Sequence, residues 1–453
     1  MGERKIIEAD LTWTGQRFER GVRVVVEPDG RIGEVIGAGA ADAGRDERPR
    51  TPDEFPGAGA GAGRALLPGF VNAHSHAFQR GLRGRGERYA VRPGSFWTWR
   101  QTMYDLVDRM DAATFERLTR EAFSEMLAAG ITTVGEFHYL HHDSSGAGYA
   151  FDEIVLEAAA AVGIRLVLLG TCYRTGGIDE PLAGAQVRFG SPSLEAYWAQ
   201  MDRLASRLDP ATQTLGVAAH SIRAVAPQEV AALHQESIRR HLVFHMHVEE
   251  QTREIEQCVA AYGKPPMAVL NERLEIDPRF TAVHCTHTAT ADLEAFLASG
   301  GNVCICPLTE AALGDGIADV RGILKRYGPL SLGTDSNARI CLVEEMRWLE
   351  YGQRLASRRR GVCTDESGRV APALLRAATL CGARALGLRA GAIRPGHLAD
   401  LVAIDLDCPS LAGWTEETLL ESLVLGCGNE AIAGVWVGGE WKGRDEGRGT
   451  RDA

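Results

Sequence analysis

The stretch Leu66-Leu67-Pro68-Gly69-Phe70-Val71-Asn72-Ala73-His74-Ser75-His76 joins a short apolar run to two histidines one residue apart. In an extended strand, residues i and i+2 share a face, so His74 and His76 can reach one ion. Neutral imidazole is a common protein ligand of zinc and related metals. The alternative for an isolated His-x-His pair is two surface histidines in a turn. Further ligands at the ends of later strands decide between these interpretations.

Composition indicates an ordinary globular protein. The 453 residues suffice for one large and one smaller domain, and 45% of them are hydrophobic. The net charge of −11 argues against nucleic acid or membrane partners, although it leaves room for a local basic pocket that binds an acidic small molecule. No segment has the apolar core of a secretory signal or the length of a membrane span, so we expect a cytoplasmic protein. The ten cysteines include no Cys-x-x-Cys pair, which predicts buried free thiols.

A strand, a loop and an amphipathic helix alternate from residue 66 to about residue 340. The segment Asp111–Ala129 carries apolar residues at helical spacing, and Gly130 follows it as a C-terminal stop. The predicted strands are the opening run and the segments 131–137, 164–169, 214–220, 242–247, 281–284, 301–306 and 330–335. Eight such units predict an α/β fold, a (β/α)8 TIM barrel, which holds its chemistry at the C-terminal ends of the strands.

Strand patterns also flank this central region. Residues 9–36, 399–405 and 431–437 have strand character, and neither terminus alone makes a sheet with a buried face. We therefore expect a small, β-sandwich-like domain built from residues 1–65 and 390–453, beside a barrel domain of residues 66–389. The Gly/Ala-rich stretch 37–64 opens a strand rather than a helix, which favours a flexible surface loop over a phosphate-binding loop.

Polar residues gather at the predicted strand ends. His74 and His76 end the first strand, and His247, His284 and Asp335 end the fifth, sixth and eighth. A barrel brings these ends around one point, and three or four N/O ligands with an open position indicate a catalytic metal site. A second cluster lies in the loop after the second strand, and for it we expect solvation or substrate contact rather than metal binding. It consists of His138, His141 and His142.

Five motifs together resemble the amidohydrolase superfamily. They are the Pro68-Gly69-Phe70 opening with its two histidines, the stretch His247-Val248-Glu249-Glu250, the run Val283-His284-Cys285, the run Gly333-Thr334-Asp335-Ser336 and the closing Gly396-His397-Leu398-Ala399-Asp400-Leu401-Val402. The fourth strand ends at His220 without the carboxylated lysine that bridges two metals in other barrels of this type. The chain is therefore more similar to the mononuclear-metal deaminases.

Within that group, further stretches resemble the formimidoylglutamate deiminases. They are His74-Ser75-His76-Ala77-Phe78-Gln79-Arg80-Gly81-Leu82-Arg83-Gly84, Phe96-Trp97-Thr98-Trp99-Arg100, Glu136-Phe137-His138-Tyr139-Leu140-His141 and His220-Ser221-Ile222-Arg223-Ala224-Val225. The resemblance implies one divalent metal ion, expected to be zinc, and a homodimer. It implies hydrolysis of N-formimidoyl-L-glutamate to N-formyl-L-glutamate and ammonia in L-histidine degradation. The implied metal ligands are His74, His76, His247 and Asp335.

The residue types suit this chemistry. A divalent metal lowers the pKa of bound water to about 7. Asp335 would take the water proton as the oxygen attacks the formimidoyl carbon, and His284 would stabilise the developing charge. Glu250 would protonate the departing nitrogen. Glu249 is the competing carboxylate, but the family pattern His-x-x-Glu falls on Glu250; either could instead be a helix N-terminal acid stabilised by the dipole.

The implied substrate carries two carboxylates, which arginine forks and amide or hydroxyl donors would hold. The matching positions are Gln79, Arg100, Tyr139, His220 and Arg223. Without the resemblance, each arginine could be an exposed or structural cation. A related deaminase of a purine, pterin or adenosyl compound would instead need aromatic and amide contacts. A non-catalytic barrel is disfavoured, because a water base and a proton donor stand beside the ligands.

Overall fold

The computed structural model describes residues 3–37, 63–87, 94–325 and 329–443. Its strands are β1 (Lys5–Glu8), β2 (Leu11–Trp13), β3 (Phe18–Glu19), β4 (Arg23–Val26), β5 (Ile32–Ile36), β6 (Arg64–Pro68), β7 (Phe70–Ser75), β8 (Ile131–His138), β9 (Arg165–Cys172), β10 (Gln213–Ala219), β11 (Phe244–Val248), β12 (Phe280–His284), β13 (Asn302–Ile305), β14 (Leu330–Leu332), β15 (Leu401–Asp405), β16 (Ile432–Val437) and β17 (Glu440–Gly443).

The α-helices are α1 (Phe96–Asp108), α2 (Ala112–Ala128), α3 (Asp152–Val162), α4 (Leu194–Ala205), α5 (Pro227–Arg239), α6 (Thr252–Tyr262), α7 (Pro266–Arg273), α8 (Thr290–Ala298), α9 (Pro307–Leu313), α10 (Val320–Lys325), α11 (Leu342–Ser357), α12 (Val370–Arg376), α13 (Gly382–Ala385) and α14 (Leu419–Gly426). Short 3-10 helices cover Ala77–Leu82, Gly184–Phe189, Pro409–Leu411 and Asn429–Ala431, and a π-helical segment, Ala377–Cys381, joins α12 to α13. Among these described helices, none has both the length and the apolar character that crossing a membrane requires.

Strands β7 to β14 form the barrel, each hydrogen-bonded to the next in chain order. The ring closes where the end of β7 meets the loop after β14, through a parallel bridge between Ser75 and Asp335. There the His76 amide donates to the Asp335 carbonyl at 2.9 Å, and the Asp335 amide donates to the His74 carbonyl at 3.0 Å. The eight predicted strands and the TIM barrel are confirmed. Closure occurs at the residues that the sequence nominates as metal ligands.

Helix α2 illustrates how local sequence fixes the outer layer. The Asp111 side chain accepts a hydrogen bond from the Thr114 amide at 2.7 Å and caps the helix. Phe115, among other apolar residues of one face, is buried. Gly130 has φ +82° and reverses the chain into β8. The helix predicted over 111–129 is thus present, with Asp111 and Ala129 as its caps.

The opening apolar run serves two sheets rather than one. Strand β6 belongs to a sheet of the terminal domain, and β7 begins the barrel after Gly69. At Gly69 an added Cβ would lie 2.3 Å from Thr132 Oγ1, so only glycine fits here. The Gly69 amide also donates to the Asp400 carbonyl at 2.9 Å, which ties the junction to the C-terminal segment.

The two ends of the described chain build one β domain of two sheets. Their orders are β1-β4-β5 and β17-β16-β15-β6-β2-β3, so the larger sheet mixes strands from both ends of the sequence. Ile7, Val24, Leu66, Leu401 and Trp436 pack in a core shared by both sheets. The predicted composite domain is therefore present, while its limits at residues 65 and 390 stay a prediction. Apart from its ends, the Gly/Ala-rich stretch 37–64 lies outside the described residues.

The cysteines behave as small apolar residues. All ten are free, and Cys381 is half-buried while the other nine are buried. The prediction of buried free thiols is confirmed.

Candidate active site

Four buried side chains converge where the barrel closes. His74 Nε2 lies 3.1 Å from His247 Nε2 and 3.5 Å from Asp335 Oδ1. His76 Nε2 lies 3.3 Å from the same oxygen, Asp335 Oδ1. These side chains come from β7, from β11 and from the loop after β14, which the parallel barrel brings to one end.

The backbone sets which nitrogen of two imidazoles faces this cluster. His76 Nδ1 donates to the Phe137 carbonyl, and His247 Nδ1 donates to the His220 carbonyl, both at 2.8 Å. In the neutral ring this leaves the Nε2 lone pair of each directed at the cluster. Metal-binding histidines in proteins are commonly held by such second hydrogen bonds.

The donor set fits a divalent metal such as zinc. In a tetrahedral zinc site, bond lengths of about 2.0–2.1 Å to nitrogen and oxygen put the ligand atoms roughly 3.3–3.4 Å apart. The three distances in this cluster, 3.1, 3.3 and 3.5 Å, lie around that value. Burial lowers the pKa of His74 to about 3, and burial also lowers the pKa values of His76 and His247. The imidazoles are therefore neutral at pH 7, as metal ligands must be.

His284 lies beside the cluster among three carboxyl groups. Its Nε2 is 3.8 Å from Asp335 Oδ2 and 3.8 Å from Glu250 Oε1, while its Nδ1 is 3.2 Å from Glu310 Oε1. Burial alone would lower the pKa of His284, but the charges of Glu250, Glu310 and Asp335 outweigh burial and raise it well above the ordinary value. The imidazolium form is thus favoured at neutral pH.

The two neighbouring glutamates after His247 have different surroundings. Glu250 is buried and lines the same cavity as His284 and Asp335. Burial raises the pKa of its carboxyl group. Glu249 turns away and accepts a hydrogen bond from the Met267 amide at 2.9 Å, at the start of α7.

The chain bends at this point without a helical turn. Glu249 has φ +54°, and helix α6 begins only at Thr252. His284 and Asp335 also have left-handed backbones, with φ +74° and +44°. Non-glycine residues avoid this conformation, and it clusters at functional sites where the surrounding structure imposes it.

Basic side chains form another wall of the cavity. Arg223 is 8% exposed and its Nε has no hydrogen-bond partner among the described residues. Arg100 is half-buried, with its Cζ 4.5 Å from the Trp97 ring centroid and 5.4 Å from that of Tyr104. Both arginines line the cavity that contains Glu250. The cavity therefore joins a cationic wall to the candidate metal centre.

The remaining predicted positions lie in the same cavity. Gln79 Nε2 donates to Tyr139 Oη at 2.7 Å, and the buried Gln79 Oε1 has no hydrogen-bond partner in the part of the chain that the structure describes. The His220 ring packs against the rings of Tyr139 and Tyr173, with centroids 5.4 and 4.6 Å away. Every predicted site residue except His74 lines this cavity, and His74 lies in the ligand cluster.

The loop histidines form a separate buried cluster around Asp152. His138 Nε2 and His141 Nδ1 approach Asp152 Oδ1 at 2.9 and 2.8 Å, and His141 Nε2 donates to the Thr171 carbonyl at 2.7 Å. His142 Nε2 donates to the Gly190 carbonyl at 2.8 Å. These contacts hold the loop that carries Tyr139, and they replace the solvation or substrate contact expected from the sequence.

Some residues of the site are missing from the sequence-based set. Glu310 contacts His284 and also accepts from the Cys306 amide at 3.0 Å. The signal for Glu310 is a proline and an acid in the first turn of a helix, which is common in helices without any site. Trp97 stands within the aromatic stretch quoted above, yet only the fold shows that it contacts the arginines.

Comparison with known proteins agrees with this geometry. The formimidoylglutamate deiminase of Pseudomonas aeruginosa is 38% identical over 445 residues, which are 97% of this chain and 94% of that protein. A crystal structure of an amidohydrolase from Brucella melitensis superposes with a TM-score of 0.84 at 30% identity, covering 96% of this chain and 94% of that chain. An adenosine deaminase from Xanthomonas campestris with bound zinc gives a TM-score of 0.78 at 25% identity, covering 96% and 92%.

The profile of the amidohydrolase family matches residues 65–442, which span the whole barrel and the C-terminal strands. The match includes all the residues of the ligand cluster and both walls of the cavity. This chain belongs to the amidohydrolase family.

Proposed function

We propose that this protein is a metal-dependent deiminase that hydrolyses N-formimidoyl-L-glutamate to N-formyl-L-glutamate and ammonia, a reaction of L-histidine degradation. The observation that carries the proposal is the joining of two features in one cavity. A cluster of three imidazoles and a carboxylate lies at one side, and Arg223 and Arg100 lie at the other. The 38% identity to a formimidoylglutamate deiminase supports the same substrate.

The proposed metal is zinc, held by His74, His76, His247 and Asp335. Neutral nitrogen and carboxylate oxygen ligands suit zinc, and a bound divalent metal lowers the pKa of water to about 7, which supplies a nucleophile at neutral pH. Zinc is bound in the adenosine deaminase of similar fold. Metal analysis of the purified protein tests this choice, since other divalent ions also bind such ligand sets.

Three side chains would carry the proton transfers. Asp335 presents Oδ1 to the ligand cluster and Oδ2 toward His284, so it can accept the proton of the attacking water. Water oxygen bonds to the formimidoyl carbon, and His284, in its imidazolium form, stabilises the negative charge that develops. Glu250, whose pKa is raised by burial, would donate a proton to the imine nitrogen that becomes the leaving group. Asp335 would then pass the water proton to the same nitrogen while the hydroxyl group on the carbon returns a proton to Glu250. The carbon–nitrogen bond breaks, ammonia leaves and the formyl amide remains, with both carboxyl groups back in their starting states.

The proposed binding groups for the glutamate part are Gln79, Arg100, Tyr139, His220 and Arg223. Arg223 is buried with an unpaired Nε, and Gln79 has an unpaired Oε1. Buried polar groups without partners cost free energy, which a bound substrate with matching donors and acceptors would recover. The two carboxylates of the substrate supply acceptors for the arginines, and the N–H of the substrate supplies a donor for Gln79 Oε1.

Ammonia release from a substrate panel tests the proposal. The metal-loaded protein is given N-formimidoyl-L-glutamate, adenosine, S-adenosylhomocysteine, guanine and cytosine, each with and without chelator. We expect release from the formimidoyl substrate alone, and we expect chelation to abolish it. Release only from a nucleoside or a base would keep the metal centre and overturn the assignment of the arginines.

The cytoplasmic location, the homodimer and the absence of nucleic acid and membrane partners stay predictions. Sedimentation velocity measures the oligomeric state directly, and a single species at twice the mass of 48.9 kDa is the expected result.

A further inference from the structure

Three guanidinium groups surround the indole ring of Trp97. The Cζ atoms of Arg100 and Arg253 lie 4.5 and 4.6 Å from its ring centroid, and that of Arg223 lies 5.8 Å away. Stacking on an indole attracts each cation to the ring and orients its planar face. The three positive charges are therefore held near one another, and two of them, Arg100 and Arg223, line the cavity.

Several arginines of the protein pair with carboxylates, and these three do not in the part of the chain that the structure describes. Among the described residues, no carboxylate lies within 4.0 Å of any of the three guanidinium groups. Arg240 shows the contrast, because it stacks on Trp198 at 4.4 Å and also pairs with Glu236 at 2.6 Å and with Asp202. Burial lowers the pKa of Arg100, and the charges of Arg223 and Arg253 add to that effect. The mutual repulsion of these cations would be offset by a bound anion.

Arg253 occupies an unusual place in its helix. It is the second residue of α6, whose first turn carries the positive end of the helix dipole, and its side chain is exposed. A cation is unfavourable there. Helix α6 begins two residues after Glu250, which lines the cavity, so this end of the helix lies next to the cavity. An anion bound there would offset both the repulsion and the dipole.

We propose that Arg253 binds the substrate carboxylate farther from the reacting carbon and that Trp97 positions its guanidinium group for this contact. The inference rests on the proposed function. Arg223 is buried close enough to Glu250 for its charge to affect that carboxyl group, which suits it to the carboxylate next to the amidine nitrogen. The other carboxylate of glutamate lies two methylene groups farther out. Arg253 is exposed and stacks on the same indole ring as Arg100 and Arg223, which suits it to this outer carboxylate.

Three substrates separate the two carboxylates. N-formimidoyl-L-glutamate has both, N-formimidoyl-L-glutamine replaces the distal carboxylate by a neutral amide, and N-formimidoyl-4-aminobutanoate keeps only the distal one. In Arg253→Gln, we expect kcat/KM to fall about 10- to 100-fold for the first and third substrates, through KM, as for the loss of one charge-assisted contact. For the glutamine analogue we expect a change of no more than about twofold.

Trp97→Leu tests the positioning role. Because the indole also contacts Arg100 and Arg223, Trp97→Leu is compared in the presence of Arg253 and in the Arg253→Gln background. We expect a selective rise in KM for substrates that carry the distal carboxylate only where Arg253 is present, and an equal rise in both backgrounds would overturn the positioning role. The matched control is Arg360→Gln, which removes the same charge from the exposed turn after α11 and leaves every substrate unaffected.

An equal fall in kcat/KM on all three substrates would mean that Arg253 has only a structural role. An unchanged KM would mean that Arg253 has no role in binding the substrate. Either result overturns the proposal. Calorimetric titration with N-formyl-L-glutamate and N-formyl-L-glutamine supplies a readout that needs no turnover. Arg253→Gln should weaken binding of the former only. Failure of the proposed function would be seen separately, as an unmodified, metal-loaded protein that releases no ammonia, and the titration would still decide the role of Arg253.

Discussion

Glu249 and Glu250 are adjacent and chemically identical, yet their surroundings give them different behaviour. Glu250 faces His284 at 3.8 Å inside the cavity, whereas Glu249 holds the first turn of α7 through the Met267 amide at 2.9 Å. Burial raises the pKa of both carboxyl groups. Only Glu250 stands where a proton can pass to a leaving group, so position rather than acidity separates the pair.

Replacement of Glu250 by Gln should lower kcat about 10²- to 10⁴-fold, the usual contribution of general acid–base catalysis. The amide keeps the shape but cannot donate the acid proton, so KM and metal content should change little. Glu249→Gln is the matched control, because an amide oxygen can still accept from Met267. A kcat close to the unmodified value in Glu250→Gln would contradict the role given to this residue.

The pKa of Glu250 predicts how kcat changes on the alkaline side of the pH profile. Because burial raises the pKa of Glu250, its acid form persists at pH values where an exposed glutamate is ionised. As pH rises through that raised pKa, the proton donor is lost and kcat should fall. Steady-state rates measured across pH should show this fall in the unmodified enzyme and not in Glu250→Gln; an identical fall in both would assign it to another group.

Among individual residues of the site, the sequence identifies those whose type and position at a strand end are both distinctive. His74, His76, His247, His284 and Asp335 are found in this way. Glu310, Trp97 and Arg253 are not, because their approach to the site depends on where helices pack rather than on local spacing. Glutamate and arginine side chains on helices are ordinarily exposed, so these residue types do not mark a site there.

Among the larger elements, the closure of the barrel depends on the loop after β14. Asn337 is fully buried, and its Nδ2 donates to Ser75 Oγ at 3.1 Å and to the His76 carbonyl at 3.0 Å. Its Oδ1 accepts from Thr334 Oγ1 at 2.7 Å. The side chain thus ties the end of β7, which bears two candidate ligands, to the loop that bears Asp335.

Asn337→Ala should both destabilise the protein and weaken metal binding. The buried partners of Asn337 would lose their hydrogen bonds, which should lower the free energy of unfolding by about 1–3 kcal/mol. Metal ligands that are held less firmly should lower the affinity for the metal about 10- to 100-fold. Asn302→Ala is the control, since Asn302 is also buried and donates to the Pro278 and Phe280 carbonyls, but at the opposite end of the barrel. Thermal unfolding and competition with a metal indicator measure the two effects. Equal loss of metal affinity in both variants would refute the specific role of Asn337.

The periodic pattern of apolar residues predicts all eight barrel strands, because each strand is buried and an amphipathic helical region separates it from the next strand. It does not predict that the opening run divides at Gly69 between two sheets, since both halves are equally apolar. Nor does it reveal the left-handed backbone of Glu249, where the chain bends before α6 begins. Such bends arise from tertiary packing and leave no local signal.

For the molecule as a whole, the terminal β domain and the barrel are joined by a buried ion pair. Arg165 of β9 makes two hydrogen bonds to Asp400, at 2.7 and 3.0 Å, and Asp400 also accepts from the Gly438 amide at 2.7 Å. The composite domain is predictable because neither terminal segment can bury a sheet face alone. The pairing of particular residues across the two domains is not, because it joins positions 235 residues apart.

Metal removal should lower the thermal stability of the whole molecule. Without a cation, the buried ligand cluster loses a partner, and a metal that binds only the folded state stabilises it by about 4 kcal/mol at a free concentration 1,000 times its Kd. Scanning calorimetry of metal-loaded and chelated protein measures the shift in Tm. A variant carrying His76→Ala and Asp335→Asn should show no shift on chelation. Equal Tm values for the loaded and chelated unmodified protein would argue against the ligand cluster.

Proton NMR can identify the products that protein of known metal content forms from N-formimidoyl-L-glutamate. This measurement is the most direct test of the proposed hydrolysis. We expect N-formyl-L-glutamate and one equivalent of ammonia, because Glu250 protonates the terminal nitrogen and the bond to that nitrogen breaks. Formation of formamide and glutamate, or no turnover by the metal-loaded protein, would contradict the proposed hydrolysis.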